Sequence, residues 1–387
     1  MKSDILKLAE IAEQSTKRVL GLMSGTSLDG LDIALCKIEG SGKNTTLTVE
    51  QFTTVQYSVS QKRLLTQHAS VNQVNLQSLC QLHTWLGALY ADLINNTLNQ
   101  WQIPNDAIDF IASHGQTLYH CPQQPFENTK RLNSTLQIVE ADIIATKTNI
   151  ITLSDFRQKH IAKGLEGAPL VQYGDYLLYA SDAANRVLLN IGGISNLTYL
   201  PKVCELSQSI SSDIGPGNTL VDQYCRHVLG IPFDESGNIA ASGTIQPQFL
   251  NNLLNHPFFE QPLPKSTGQE LFNQAFIKQA LQGLDYNHED IVATLTELTA
   301  LSVAKAINSL NANAIELYVS GGGVHNQFLM QRLNIHLNSK VVTKDFVELG
   351  IHPDAKEAAL FALLANETIS GDTHALPFSM GKISLPN

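Results

Sequence analysis

Three glycine-rich turns carry most of the residues in this 387-residue chain whose types and spacing suit chemistry on an anionic ligand. The first lies in GLMSGTSLDGLDIAL, from Gly21 to Leu35. Its hydroxyls, Thr26 and Ser27, and the backbone N–H groups of Gly25, Leu28 and Gly30 are donors of the kind phosphate oxygens need. Asp29 and Asp32 only accept, so beside a phosphate they would serve Mg2+, directly or through water. The stretch has neither the lysine of G-x-x-x-x-G-K-[ST] nor the helix that follows G-x-G-x-x-G. On its residues alone, a plain hairpin turn and a phosphate cradle both fit.

The second turn, SSDIGPGNTLVDQYCRHVLG, places Asp213 at the end of an expected strand. Gly215 and Gly217 allow close backbone approach, and Asn218 is the expected cap of a helix whose first N–H groups face an anion. A carboxylate at that position suits a general base. The third, VSGGGVHNQFLMQRL, sets Gly321, Gly322 and Gly323 between a strand and a helix starting near Asn326. Three side-chain-free positions suit a flat base or ribose lying on the backbone. Glu357 falls in the first turn of an Ala-rich helix, KEAALFALLAN, where an acid complements the dipole and small residues favour close helix–helix packing. His114, His120 and His160 are too scattered in sequence to define a metal site.

The elements that must position these groups recur in the same order twice. RVLGLMS and DIALCKIEG flank the first turn as a hairpin, and RVLLNIGGISNLTYL repeats that arrangement. Each hairpin is followed downstream by an amphipathic helix, through Leu79, Leu82, Leu86, Leu89 and Leu93 in one half and Leu295, Leu298, Leu301, Ala304 and Ile307 in the other. Each helix leads into a strand ending in small polar residues, IDFIASHGQT and IELYVSGGGVHN. This grammar predicts an α/β protein of two similar domains, 1–150 and 151–387, facing a ligand cleft.

Composition narrows the function classes. A net charge of −10 with no basic run argues against a nucleic-acid or anionic-membrane surface. Five scattered cysteines, with no C-x-x-C pair, suggest neither a disulfide framework nor zinc. The first residues lack an apolar signal core and no apolar run is long enough to span a bilayer, so a cytoplasmic location is expected.

Ten segments in order, GLMSGTSLDGLDIAL, ASHGQT, LSDFRQKHIAKGLEGAPLV, LNIGGISNLT, SDIGPGN, IAASG, PKSTGQELFN, TLTELTA, SGGGVHN and HPDAKEAALFALLA, resemble the anhydro-N-acetylmuramic acid kinase family over roughly residues 18–366. The resemblance implies duplicated ribonuclease H-like domains of the actin and hexokinase kind around a nucleotide and sugar cleft. It also implies ATP and Mg2+ as cofactors and an anhydro-amino-sugar as substrate, opened by water and phosphorylated on O6 during peptidoglycan recycling. By the same resemblance, Gly25 to Gly30 match the phosphate loop, SGGGVHN the nucleotide side, Asp213 the catalytic aspartate and Glu357 a second active-site carboxylate. A homodimer is implied as well.

The sugar-side segment departs from the family pattern. His160 stands where an Asp is expected, Leu165 where a Gly, Gln172 where a Pro and Asp175 where a His. LQIVEADIIA also lacks a usual Gly-Asn. If His160 and Asp175 touch, they form the family's acid and imidazole pair in reverse. The altered side leaves two alternatives to the native substrate: another anhydrosugar, or a nucleotide-binding sensor without catalysis.

Overall fold

The computed structural model describes residues 3–25, 27–71, 73–121, 133–371 and 379–387. Thr26, expected in the phosphate loop, lies outside them. The chain forms two compact units, Met1–Leu178 with Ala355–Asn387, and Tyr179–Asp354.

In the first unit, β1 (Thr16–Met23), β2 (Gly30–Glu39) and β3 (Thr46–Gln56) form an antiparallel meander. Then β4 (Phe110–Ser113) and, after a separate two-stranded ribbon of β5 (Gln116–Cys121) and β6 (Ser134–Ile138), β7 (Ile151–Ser154) add in parallel on the β1 side. The final strand, Lys382–Ser384, pairs antiparallel with β7. The sheet order is therefore final strand, β7, β4, β1, β2, β3. In the second unit, β8 (Asn185–Ile191), β9 (Ile194–Leu200) and β10 (Ile210–Pro216) repeat the meander, while β11 (Ile315–Ser320) and β12 (Val341–Lys344) add in parallel. Its order is β10, β9, β8, β11, β12. Each sheet thus has the pattern third, second, first, fourth, fifth, with the first three strands antiparallel. Two copies of one α/β topology bear out the predicted duplication.

The periodic leucines do what their spacing predicts. On the Leu76–Trp101 helix, Leu82, Leu86, Tyr90 and Ile94 are buried, and Leu79, Leu89 and Leu93 pack at the edge of the same core. Each fully buried side chain of this kind contributes about 1.5–3 kcal/mol. The His288–Ser309 helix buries Leu295, Leu298, Ala304 and Ile307, with Leu301 half-buried. Its buried hydroxyls satisfy themselves on the preceding turn: Thr296 donates to the Val292 carbonyl at 2.9 Å and Ser302 to that of Leu298 at 2.8 Å.

Two expectations change. The boundary at residue 150 gives way to one after Leu178, because β7 is a member of the first sheet, paired with β4. The same pairing logic brings Ala355–Asn387 back to the first unit, through the final strand on β7 and the Lys356–Ser370 helix on β1. Ala358 and Ala362 of that helix serve helix-on-strand contact, where helix–helix contact was expected. A Cβ on Gly21 of β1 would lie 2.0 Å from the Ala358 carbonyl oxygen and 3.2 Å from the Ala362 Cβ.

Candidate functional site

In the first unit the β1–β2 hairpin shapes the first turn. Leu28 sits at φ +55 with its side chain buried in the core, and its N–H donates to the Gly25 carbonyl at 3.3 Å. Leu28 therefore builds the loop, and its N–H is committed to the loop itself instead of to a phosphate. A non-glycine residue in this conformation costs on the order of 1–2 kcal/mol, and here core packing holds it. Gly30 opens β2 where a Cβ would meet the Val55 carbonyl oxygen at 2.5 Å, so its glycine is explained by strand packing. Ser27 is exposed at the tip.

The acids of this loop are not alike. Asp29 receives Lys62 Nζ at 2.5 Å, a partner that sequence reasoning missed. The signal was present: Ser58 and Gln61 form a capping box that starts the Val59–Thr66 helix, and Lys62 lies in its first turn. Asp32 accepts from the Thr54 hydroxyl at 2.6 Å. Among the described residues, no group of three or more His, Cys, Asp and Glu side chains gathers around a metal position.

Glu357 opens the Lys356–Ser370 helix as expected. Its side chain is reached by solvent yet walled by protein, and this desolvation raises its carboxyl pKa. Lys356 and Arg157 oppose the rise, while Asp32 and Asp175 add to it. Arg157 is another residue that its sequence context did not reveal. Its Nε donates to His114 Nε2 at 3.2 Å and its Nη1 to the Gly167 carbonyl at 2.8 Å; burial lowers its pKa to about 10. His114, stacked on Phe361 at 4.6 Å, is held neutral by burial and by Arg157.

The reversed acid and imidazole pair is not made. His160 Nδ1 accepts the Gly167 N–H at 2.8 Å, so the ring proton sits on Nε2, which contacts the Tyr173 hydroxyl at 3.1 Å. Burial, and the nearby Arg157, lower its pKa to about 4. Asp175 instead faces Lys356, with Nζ 2.9 Å from Oδ1. Its Oδ2 has no hydrogen-bond partner among the described residues. His160 and Asp175 therefore engage different groups, Gly167 and Tyr173 for one and Lys356 for the other. His120 contacts the Thr135 hydroxyl at 2.8 Å.

In the second unit Asp213 lies within β10, not at its end, at a register shift between Asp213 and Gly215 that locally bends the strand. One oxygen, Oδ2, takes both hydrogen bonds: the Thr267 N–H at 2.9 Å and the Ser266 hydroxyl at 3.2 Å. Partial burial raises its pKa above the ordinary carboxylate value, those two bonds oppose the rise, and Glu270 adds to it. Ser266 and Thr267 belong to PKSTGQELFN, whose role could not be derived from that segment's residues alone.

The turn after β10 serves the fold more than an anion. The N–H groups of Gly217, Asn218 and Thr219 donate to the carbonyls of Gly193, Gly192 and Gly193 at 2.9, 2.8 and 3.1 Å. The expected free amides at this helix start are thus used by the β8–β9 hairpin. Asn218 occupies the N-cap position without a side-chain cap, and its amide reaches the Ile191 carbonyl at 3.4 Å. Gly215, at φ +154, packs beside Phe259.

The triple glycine divides its work. A Cβ on Gly321 or Gly323 would meet Ile191 at 2.7 and 2.4 Å, whereas at Gly322 the nearest atom is Asn218 Nδ2 at 3.7 Å. Gly322 is the glycine that lines a cavity of about 470 Å³, together with Asn218, Asp222, Phe233, His325 and Asn326. Asn326 caps its helix as expected, accepting from the Leu329 N–H at 2.9 Å. Burial in the cavity wall raises the Asp222 pKa to about 6, against the opposing pull of Arg226. Asp222 and Phe233 had no distinguishing sequence signal, because the fold alone brings them beside the glycine turn.

The family model for anhydro-N-acetylmuramic acid kinase matches residues 17–384. The chain is 43% identical to an anhydro-N-acetylmuramic acid kinase of Pseudoalteromonas atlantica, with 100% of each chain covered. It is 44% identical to that of Pseudoalteromonas translucida, over 99% of each. The corresponding Bacillus cereus protein is 37% identical, over 94% of this chain and 96% of that one. Among the described residues, no helix is long and apolar enough to cross a membrane.

Proposed function

The chain belongs to the anhydro-N-acetylmuramic acid kinase family, and from that premise we propose that it opens 1,6-anhydro-N-acetylmuramic acid with water and phosphorylates O6 from ATP. Asp213 accepts a proton from the water that attacks the anomeric carbon. The bond from that carbon to O6 breaks, O6 takes the γ-phosphoryl group, and ADP leaves. The products are N-acetylmuramic acid 6-phosphate and ADP, with the water oxygen left on the anomeric carbon. This places the chain in peptidoglycan recycling, with the cytoplasm as the compartment that supplies its ATP.

The observation that carries this assignment is the setting of Asp213. One carboxylate oxygen is fixed by Thr267 and Ser266, and the group is half-buried with a raised pKa. A fixed, partly desolvated carboxylate is a better base near neutrality than a solvated one. The cavity in the same unit has a volume in the range that holds small ligands, and Gly322 leaves one wall free of side chains. We assign it to the nucleoside part of ATP.

Mg2+ needs few protein ligands, because phosphate oxygens and water complete its octahedron. Asp32 fits that requirement, with a field that reaches Glu357; Asp29 fits less well, because it already pairs with Lys62. When bound, Mg2+ would neutralise phosphate charge. On the sugar side, we assign Arg157 and Lys356 to orienting the substrate beside Glu357, and His160 and Asp175 to shaping that wall. Their altered partners keep a related anhydrosugar, one without the lactyl group, as a second substrate.

The test is coupled measurement of ADP formation with ATP, Mg2+ and 1,6-anhydro-N-acetylmuramic acid. Wild type is expected to show sugar-dependent turnover, and Asp213→Asn to lose it by a factor of about 10²–10⁴. ATP binding without sugar-dependent turnover would refute the activity.

A further inference from the structure

The candidate phosphate hairpin rests on a one-way chain of buried hydrogen bonds. Gln116, the first residue of β5, is fully buried, and its Nε2 donates to the Gly25 carbonyl at 3.2 Å. Its Oε1 therefore faces the other way, where it accepts the Ser24 hydroxyl at 2.7 Å. With that proton committed, Ser24 Oγ can only accept from the Tyr57 hydroxyl, 2.9 Å away. Tyr57 has one proton to give. Given to Ser24, that proton leaves the Tyr90 hydroxyl as a neighbour of Tyr57 at 3.1 Å. The direction of the chain follows, from Tyr57 through Ser24 and Gln116 to the Gly25 carbonyl.

That carbonyl is also where the strained part of the loop closes, because it accepts the N–H of Leu28, the residue at φ +55. Two donors thus converge on one oxygen at the base of the hairpin. A carbonyl oxygen turned outward would repel a phosphate, whereas one held by Gln116 and Leu28 is kept from it. The ASHGQT segment, whose role could not be derived from its residues alone, contributes the residue that holds it.

We propose that Tyr57, Ser24 and Gln116 are positioning residues for triphosphate binding, which act by fixing the Gly25 carbonyl away from the bound anion. This rests on the assignment of the hairpin as the phosphate loop. The experiment compares wild type with Gln116→Met, which keeps volume and removes the amide, and Tyr57→Phe, which removes the hydroxyl three hydrogen bonds back from the Gly25 carbonyl. ATP affinity is measured by calorimetry, and KM for ATP and for the anhydrosugar by steady-state kinetics.

Loss of one buried hydrogen bond is expected to weaken ATP binding about tenfold in Gln116→Met and a few-fold in Tyr57→Phe, with KM for the sugar unchanged. Unchanged ATP affinity in Tyr57→Phe would overturn the proposal even if Gln116→Met fails to fold. Equal rises in both KM values would also overturn it, since they would report general loosening. Wild type that turns over but tolerates Ser27 and Gly25 substitutions without loss of ATP affinity would instead remove the phosphate-loop assignment itself.

Discussion

Gly21→Ala tests how closely the Lys356–Ser370 helix is seated on β1. The added Cβ would lie 2.0 Å from the Ala358 carbonyl oxygen, whereas ordinary contact begins near 3.4 Å. Helix and strand must separate by about 1.4 Å, the difference between those distances. The Ala358 oxygen is main chain and Gly21 lies in mid-strand, so no rotamer change relieves the clash. Overpacking of this kind costs about 1–3 kcal/mol. For domains of this size that corresponds to a fall in Tm of about 2–12 °C. Because Glu357 precedes Ala358, its carboxylate moves with the helix, and a misplacement of about 1 Å costs up to about 10²-fold in rate. Differential scanning fluorimetry and kcat under saturating substrates measure both effects. A variant with wild-type Tm and kcat would refute the close seating, and with it the account of why Gly21 and Ala358 are small.

Ser266→Ala removes a bond that lowers the Asp213 pKa. The carboxylate then ionises at higher pH, so the acid limb of the kcat profile is expected to move to higher pH; a limb at unchanged or lower pH contradicts this. Gly322→Ala is expected to fold normally but raise KM for ATP, while Gly323→Ala, whose Cβ would meet Ile191 at 2.4 Å, is expected to lower Tm; reversed outcomes would show that the cavity is lined by the other glycine. Asp222, raised to about 6, binds a proton more tightly in the folded than in the unfolded chain. Its contribution to stability is therefore present below its ordinary pKa and is lost as pH rises toward 6. Denaturant unfolding of Asp222→Asn between pH 4 and 6 is expected to lose that component of the slope.

Long-range order was more legible in the sequence than local chemistry. Apolar periodicity at Leu82, Leu86, Leu295 and Leu298 marked both helices, and two glycine hairpins marked both meanders, because burial imposes a period on a chain. The domain boundary was not legible. Whether β7 pairs with β4 is a tertiary choice that its four residues, Ile151 to Ser154, do not encode.

At the site, the carboxylates Asp213 and Glu357 and the Asn326 cap stood out by their position beside turns. Their holders did not. Thr267 acts through a main-chain N–H that any residue but proline supplies, Arg157 and Lys62 reach their partners across the fold, and Gln116 is one amide in a short strand. The glycines misled in a consistent way: most relieve backbone crowding, and Gly322 alone among the three consecutive ones opens onto the cavity. The His160 and Asp175 exchange looked reciprocal in sequence, yet Gly167, Tyr173 and Lys356 are the partners the fold supplies.

The most direct test of the central claim is turnover of 1,6-anhydro-N-acetylmuramic acid with ATP and Mg2+ in ¹⁸O-labelled water, followed by mass spectrometry of the products. Water activated by Asp213 should place the label on the anomeric oxygen of N-acetylmuramic acid 6-phosphate, with unlabelled phosphate and one ADP per sugar opened. Label in released phosphate, or a phosphorylated sugar whose anomeric oxygen carries none, would contradict it.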